Sequence, residues 1–124
     1  MDLIIRRIKD AKSSEERLVL YANTDCNTSN YMVFDETFNN DGGKSDKLRH
    51  LFLFPPQLIK AGDFVWLYTH KKGSYDTHHN TSGTTTHKFY WGLEAPIWNK
   101  DGDKAYIVHY DDWASHVFSD KTKK

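Results

Sequence analysis

The sequence contains almost no cysteine. Cys26 is the only one among 124 residues, so the chain cannot form an internal disulfide bond. A fold of this kind depends on packing alone and suits a reducing compartment. We therefore expect a cytoplasmic protein, or a secreted one if a leader peptide has been removed.

The sequence also lacks a charge excess and a long apolar run. Lys and Arg total 17, and Asp and Glu also total 17, so the formal net charge is zero. Nucleic-acid-binding domains usually carry a basic stripe, and no nucleic-acid partner is therefore expected. No apolar stretch approaches the length of a membrane span, so no membrane insertion is expected either. The Lys-rich residues 119–124 are predicted to form a flexible tail.

Helical periodicity is nearly absent from the chain. Ser13 and Glu16 have the spacing of a capping box, which would start a helix. The apolar run that follows has no helical spacing, however, so we predict a strand over residues 17–22. Other short apolar runs lie between turn-forming residues and predict strands at residues 3–8, 31–34, 48–54, 64–68, 104–110 and 113–118. About eight short strands predict one all-β domain, residues 1–124, folded as a two-sheet β-sandwich.

The densest aromatic stretch of the chain surrounds one tight turn. Asp101 and Gly102 lie between residues 89–98, which are rich in aromatic side chains, and the apolar run at residues 104–110. An Asp-Gly pair between apolar runs is the strongest short-range signal for a β-hairpin. We therefore predict a hairpin here, with residues 104–110 as its second strand.

Several motifs resemble a known family. The stretches YWG (residues 90–92), APIWN (95–99) and GDKAYIV (102–108), with FPP (54–56) upstream, are similar to the lamin tail domain. The resemblance is firmest over residues 48–108. Its signature consists of Phe54, Pro55, Gly62, Trp91, Gly92, Trp98, Asn99, Gly102 and Asp103. The resemblance implies an immunoglobulin-like sandwich of the stand-alone, bacterial type, used for interaction and without catalytic residues.

Four histidines lie close together in sequence, at positions 70, 78, 79 and 87. Zinc requires three or four converging ligands, and adjacent residues on an extended chain point to opposite faces. The candidate metal ligands are His78, His79 and His87, but we expect a solvated hairpin loop that holds neither a metal nor another cofactor. A small metal-dependent hydrolase that uses residues 70–87 is the alternative.

Aromatic residues make up 15% of the chain. We predict that the core contains Trp66, Trp91 and Trp98, because large rings supply the most buried area per residue. The candidates for exposed rings that bind a ligand are Tyr75, Tyr110 and Trp113. A carbohydrate-binding module built on such rings is a further alternative.

Together these patterns favour a non-catalytic binding or structural module whose partner is another protein. No catalytic residue is predicted, since the sequence has neither a GxSxG motif nor a P-loop. The partner would bind an exposed aromatic face or an uncovered sheet edge. The candidate edges are residues 3–8 and 113–118.

Overall fold

The structure of the chain is a computed structural model that describes residues 1–35, 50–98, 103–112 and 114–117. None of these residues is helical, and ten strands run through them. The strands are β1 (Leu3–Lys9), β2 (Arg17–Ala22), β3 (Cys26–Asn27), β4 (Tyr31–Asp35), β5 (Leu51–Leu53), β6 (Leu58–Ile59), β7 (Phe64–Tyr68), β8 (Asp76–His79), β9 (Thr85–Tyr90) and β10 (Ala105–His109). The predicted all-β class is confirmed.

The strands form a sandwich-like arrangement of three sheets. The largest sheet has five strands in the order β1-β2-β7-β9-β8, and the second has three in the order β10-β4-β5. A two-stranded sheet pairs β3 with β6. Every strand pair is antiparallel except β7 with β9, which is parallel. The strand β8 lies between them in sequence and forms the outer edge of the sheet.

The two-stranded sheet follows the β4–β5 pair in the same register. Met32 lies opposite Leu53, and Asn27 lies opposite Leu58. Both pairs of residue numbers add up to 85, so the register is the same on both sides of the interruption. The interruption falls at Pro55, whose carbonyl accepts a 2.6 Å hydrogen bond from the Thr28 hydroxyl. Asn30, which lies opposite Pro55 in this register, has a φ of +68° and departs from extended backbone, so the ladder breaks here while its alignment is kept.

The core lies where the inner faces of the two larger sheets meet. Alternate residues of each strand point inward, as a half-buried strand requires. The buried core residues are Leu3, Leu18, Leu20, Ala22, Tyr31, Val33, Phe54, Ile59, Val65, Leu67, Phe89 and Trp98. Trp98 is only 4% exposed, as predicted for a core residue.

A buried carboxylate joins distant parts of this core. The side chain of Glu16 is fully buried and accepts hydrogen bonds from the backbone N–H of Ile97, at 2.8 Å, and of Trp98, at 3.3 Å. It also accepts from the Thr69 hydroxyl at 2.7 Å and from the N–H of Lys12 at 3.0 Å. These donors satisfy the charge that burial has removed from water.

The strand predicted over residues 17–22 is confirmed as β2, so the capping-box spacing of Ser13 and Glu16 starts no helix. Other local predictions are wrong or fall outside the described residues. The expected hairpin is replaced by long-range pairing: residues 91–98 form no strand, and β10 pairs with β4. Residues 114–117 form no strand either, and the turn at residues 101–102 and the tail at 119–124 lie outside the described residues.

Removal of the Glu16 carboxylate should be costly. Replacing Glu16 with Ala leaves three backbone N–H groups and one hydroxyl buried without their acceptor, and we expect a loss of about 3–5 kcal/mol in the free energy of unfolding. Urea denaturation measures this loss. The neighbouring Glu15, which forms an exposed pair with Lys71 at 3.3 Å, is the matched control. Glu15→Ala should change stability by less than about 1 kcal/mol, and equal effects of the two substitutions would contradict this account.

Candidate functional site

The structure separates the histidines that the sequence places close together. His78 and His79 lie on the exposed strand β8, where His79 Nδ1 is 3.3 Å from the Thr85 hydroxyl. His70 Nδ1 lies 2.9 Å from the carbonyl oxygen of Leu93. His87 is only 6% exposed, in the middle of β9. The prediction of a solvated hairpin loop is therefore wrong for His87, because the parallel pairing of β9 with β7 places this residue inside the sheet.

His87 is the centre of a hydrogen-bonded chain of three side chains. Its Nε2 lies 2.9 Å from Oδ2 of Asp63, and its Nδ1 lies 2.7 Å from the Tyr75 hydroxyl. An ionised carboxylate only accepts, so Nε2 donates to Asp63, and in the neutral ring Nδ1 accepts from Tyr75. The turn before β7 positions Asp63, and it contains Gly62 at a φ of +92°, a conformation that favours glycine.

The environment of Asp63 stabilises its ionised form. Burial by itself would raise the pKa of Asp63, but hydrogen bonds from the Thr85 amide, from His87 and from the Lys60 amide outweigh burial and lower it. The Thr85 amide lies 3.0 Å from Oδ1 of Asp63. Burial, followed by the charges of Asp63 and Asp76, raises the pKa of Tyr75. The chain of side chains thus holds a carboxylate charged and a phenol neutral.

No metal centre is assembled within the described parts of the chain. No group of three or more His, Cys, Asp or Glu side chains there is placed to hold a metal ion. The candidates His78, His79 and His87 are not brought together, since His87 is already bonded to Asp63 and Tyr75.

The aromatic candidates fall in different places. Tyr75 is 37% exposed and packs its ring against Phe89, with centroids 5.0 Å apart. Tyr110 is half-buried, and its amide donates to the carbonyl of Asn30 at 2.9 Å. Trp113 lies outside the described residues. These three side chains are therefore not brought together into one described site.

The outer side of the five-stranded sheet carries a row of rings and cations that we call the aromatic–cation face. Its members are Arg6, Arg17, Tyr21, Phe64, Trp66, Tyr68, Lys88 and Tyr90. Arg17 lies 4.3 Å above the Trp66 ring, and Arg6 lies 4.2 Å above the Tyr21 ring. The prediction that Trp66 fills the core is wrong, because its position in β7 alternates with that of the buried Val65 and Leu67.

Tyr90 closes one end of the aromatic–cation face. Its ring stacks on Tyr68 with a centroid distance of 5.1 Å, and its hydroxyl donates to Asp76 at 2.9 Å. Burial and the bond to Asp76 raise the pKa of Tyr90 to about 12. The rings are thus covered by cations or by one another, which leaves a face that is only partly open to a ligand.

The outer side of the three-stranded sheet is apolar or aromatic at six neighbouring positions, two on each strand. We call this surface the β4 face, and its members are Met32, Phe34, Leu51, Leu53, Tyr106 and Val108. Phe34 stacks on Tyr106 with centroids 5.0 Å apart. Leu51 and Leu53 are 43% and 57% exposed. The other four members are half-buried.

The β4 face was not predicted from the sequence, because β4 and β5 both lie in continuous apolar runs. Alternating polar residues would mark a solvent face, but residues 31–34 and 51–54 contain none of the charged residues that do so. A run that is apolar on both sides predicts a strand buried on both sides. The face could be recognised only from the sheet order, which shows that β5 is an edge strand.

Several residues that carry the lamin tail resemblance pack in the core or have a backbone conformation that favours glycine. Phe54 and Trp98 are buried, and Trp91 packs between Phe52 and Trp98 at centroid distances of 5.8 and 6.4 Å. Gly92 has a φ of +73°. The described remainder of the signature consists of Pro55, Gly62 and Asp103, whereas Asn99 and Gly102 lie outside the described residues.

Comparison of the sequence with protein-family models finds no match, and comparison with curated proteins finds no significant one. The described part of the chain has no helix with the length and apolarity needed to cross a membrane.

The Asp63 network should make stability depend on pH in acid. Because the folded pKa of Asp63 lies below its unfolded value, its stabilisation is present above the unfolded pKa and disappears as pH falls through the folded pKa. We expect Asp63→Asn to cost about 1–3 kcal/mol at pH 7, and the difference from wild type to shrink below about pH 4. Urea unfolding at several pH values measures this. Asp111→Asn, at an exposed site, is the control and should leave the curve unchanged; a constant difference for Asp63→Asn would contradict the assignment.

Proposed function

We propose that this protein is a non-catalytic interaction module that binds another protein through the β4 face. The observation that carries the proposal is the apolar character of that face, on which Leu51 and Leu53 are 43% and 57% exposed. Contiguous apolar surface is costly in water, and on a folded domain it marks a site that a partner covers.

The arrangement around the β4 face supports a protein partner. Apolar and aromatic side chains form its centre, with Phe34 stacked on Tyr106 and the two exposed leucines beside them. Large apolar and aromatic side chains are enriched at the centre of protein–protein interfaces. Met32 lies in the middle of the face, between Val108 on β10 and Leu53 on β5.

The chemistry of the His87 network argues against catalysis. One ring nitrogen of His87 is bonded to Asp63 and the other to Tyr75, so the hydroxyl that would act as a nucleophile in such a chain is a phenol. The raised pKa of Tyr75 disfavours its phenolate, the form that a nucleophile requires. The network therefore serves to hold the segment that carries Tyr75 against β9.

The resemblance to the lamin tail domain agrees with this proposal. That family is used for interaction and contributes no catalytic residues, and the motifs in residues 48–108 resemble its signature. Membership in the family stays a prediction, as do the cytoplasmic location and the absence of a cofactor.

A second candidate function is carbohydrate binding on the aromatic–cation face. The observation that favours it is the row of rings on one open side of a sheet, since sugar rings stack on aromatic side chains. Arg17 over Trp66 occupies one of these rings, however, which is why we favour the β4 face. Binding on a glycan array that Trp66→Ala abolishes and Met32→Lys leaves intact would support the second candidate.

The proposed function predicts that one substitution in the β4 face weakens binding without loss of the fold. A photo-reactive amino acid at Met32 should cross-link a discrete protein in cell extract, whereas the same group at Thr77, on the exposed strand β8, should not. Met32→Lys should then weaken binding of the purified, identified protein at least tenfold, or about 1.4 kcal/mol.

Two controls make this experiment decisive. Thermal unfolding of Met32→Lys shows whether the fold persists, and the long aliphatic stem of Lys is expected to preserve it. Thr77→Lys introduces the same charge on the other sheet and should leave binding unchanged. Equal cross-linking at the two positions, or turnover of a substrate in a broad hydrolase screen, would contradict the proposal.

A further inference from the structure

Among the described residues, the outer side of β5 is an open edge whose backbone groups have a defined direction. The amide of Phe54 donates to the carbonyl of Tyr31 at 3.1 Å, and the amide of Asp35 donates to the carbonyl of His50 at 3.4 Å. In an antiparallel pair, residues alternate between those that bond the neighbouring strand and those that face away from it. Residues 50, 52 and 54 therefore bond β4, and the N–H and C=O groups of Leu51 and Leu53 point outward.

No described residue pairs with that outward side, since β5 is the last strand of its sheet. The same two residues carry the exposed leucine side chains of the β4 face. Unpaired backbone groups and exposed apolar side chains thus coincide at Leu51 and Leu53. An edge of this kind is a ready template for another strand.

The two edges of the five-stranded sheet differ from β5 in this respect. The edge strand β1 carries a bulge between Ile5 and Arg7 and the charged side chains of Arg6, Arg7 and Lys9. Bulges and charges are common means of blocking an edge. The other edge, β8, consists of Asp76, Thr77, His78 and His79 and therefore offers a partner no apolar side chain.

We propose that β5 pairs with β5 of a second copy of this chain, in antiparallel register about a two-fold axis at Phe52. This register places Leu51 opposite Leu53 of the second copy, and Leu53 opposite its Leu51. Every outward N–H and C=O then has a partner, and both exposed leucines become cross-strand neighbours. This pairing rests on the proposed function, because it names a second copy as a protein that covers part of the β4 face.

A second copy is the occupant that the residues themselves specify. Under the two-fold axis each leucine meets a leucine, and Phe52 meets Phe52, so the edge complements itself in shape and polarity. No like charges are placed opposite each other, since residues 51–53 are Leu, Phe and Leu. With only three paired residues per strand, the dimer should be weak and dependent on protein concentration.

The experiment measures mass and amide exchange of the full chain over a range of concentration. Sedimentation equilibrium up to about 1 mM should show a monomer–dimer equilibrium. Hydrogen exchange at the amides of Leu51 and Leu53 should slow at least tenfold as the dimer forms. The amide of Thr77, on the edge strand β8, should keep its rate. A chain that stays monomeric, or a dimer in which the Leu51 and Leu53 amides exchange at the monomer rate, would overturn the pairing.

Variants at the edge separate backbone pairing from side-chain effects. Leu53→Pro removes an outward N–H but no bond to β4, and it should weaken the dimer at least tenfold, whereas Leu53→Val keeps the N–H and should preserve it. If Leu53→Pro does not fold, Leu51→Lys replaces it, with Val117→Lys, at a side chain that is 84% exposed, as the matched control. Equal dimerisation of Leu51→Lys and Val117→Lys would overturn the proposal.

The outcome also separates this pairing from the proposed function. A monomeric protein that still binds a different protein through Met32 would remove the dimer and leave the interaction module intact. A dimer that Leu53→Pro dissociates, together with a Met32→Lys variant that loses no partner, would support the β5 pairing and remove the proposed interaction module.

Discussion

The fold depends on the burial of one carboxylate. Glu16 stands where β2 begins, and its side chain accepts hydrogen bonds from Lys12, Thr69, Ile97 and Trp98. Three segments that are distant in sequence therefore meet at one charged group. A buried ion of this kind is tolerated only while its hydrogen bonds are made, so the segment that carries Trp98 has a single position in which the core is complete.

A second polar centre fixes the far side of the same sheet. Asp63 precedes β7 and bonds the backbone of Thr85 and the ring of His87, both on β9. These bonds align two parallel strands, which otherwise share only the ladder between them. They also draw the segment that contains Tyr75 back against the sheet. On the three-stranded sheet, by contrast, the outer side is apolar and Leu53 is exposed.

The sequence predicted the type of structure better than its pairings. Most strands could be found because apolar runs and turn residues are local signals. The pairing of β10 with β4 could not, because residues 36–104 lie between them and the local hairpin signal at Gly102 points elsewhere. The burial of Glu16 was not predicted, because its donors Thr69, Ile97 and Trp98 are distant in sequence. Trp66 and His87 were misplaced by one shared cause: the side of a sheet on which a residue falls depends on the partner strand.

The bonds of Glu16 also have a consequence for biosynthesis. Ile97 and Trp98 leave the ribosome 81 and 82 residues after Glu16, which takes roughly 4–16 s at ordinary elongation rates of about 5–20 residues per second. Until then the carboxylate lacks the main-chain donors of Ile97 and Trp98, and the core lacks the Trp98 ring. The nascent chain therefore cannot complete its core for most of its translation, and its yield should depend on shielding during that interval as well as on the stability of the completed domain.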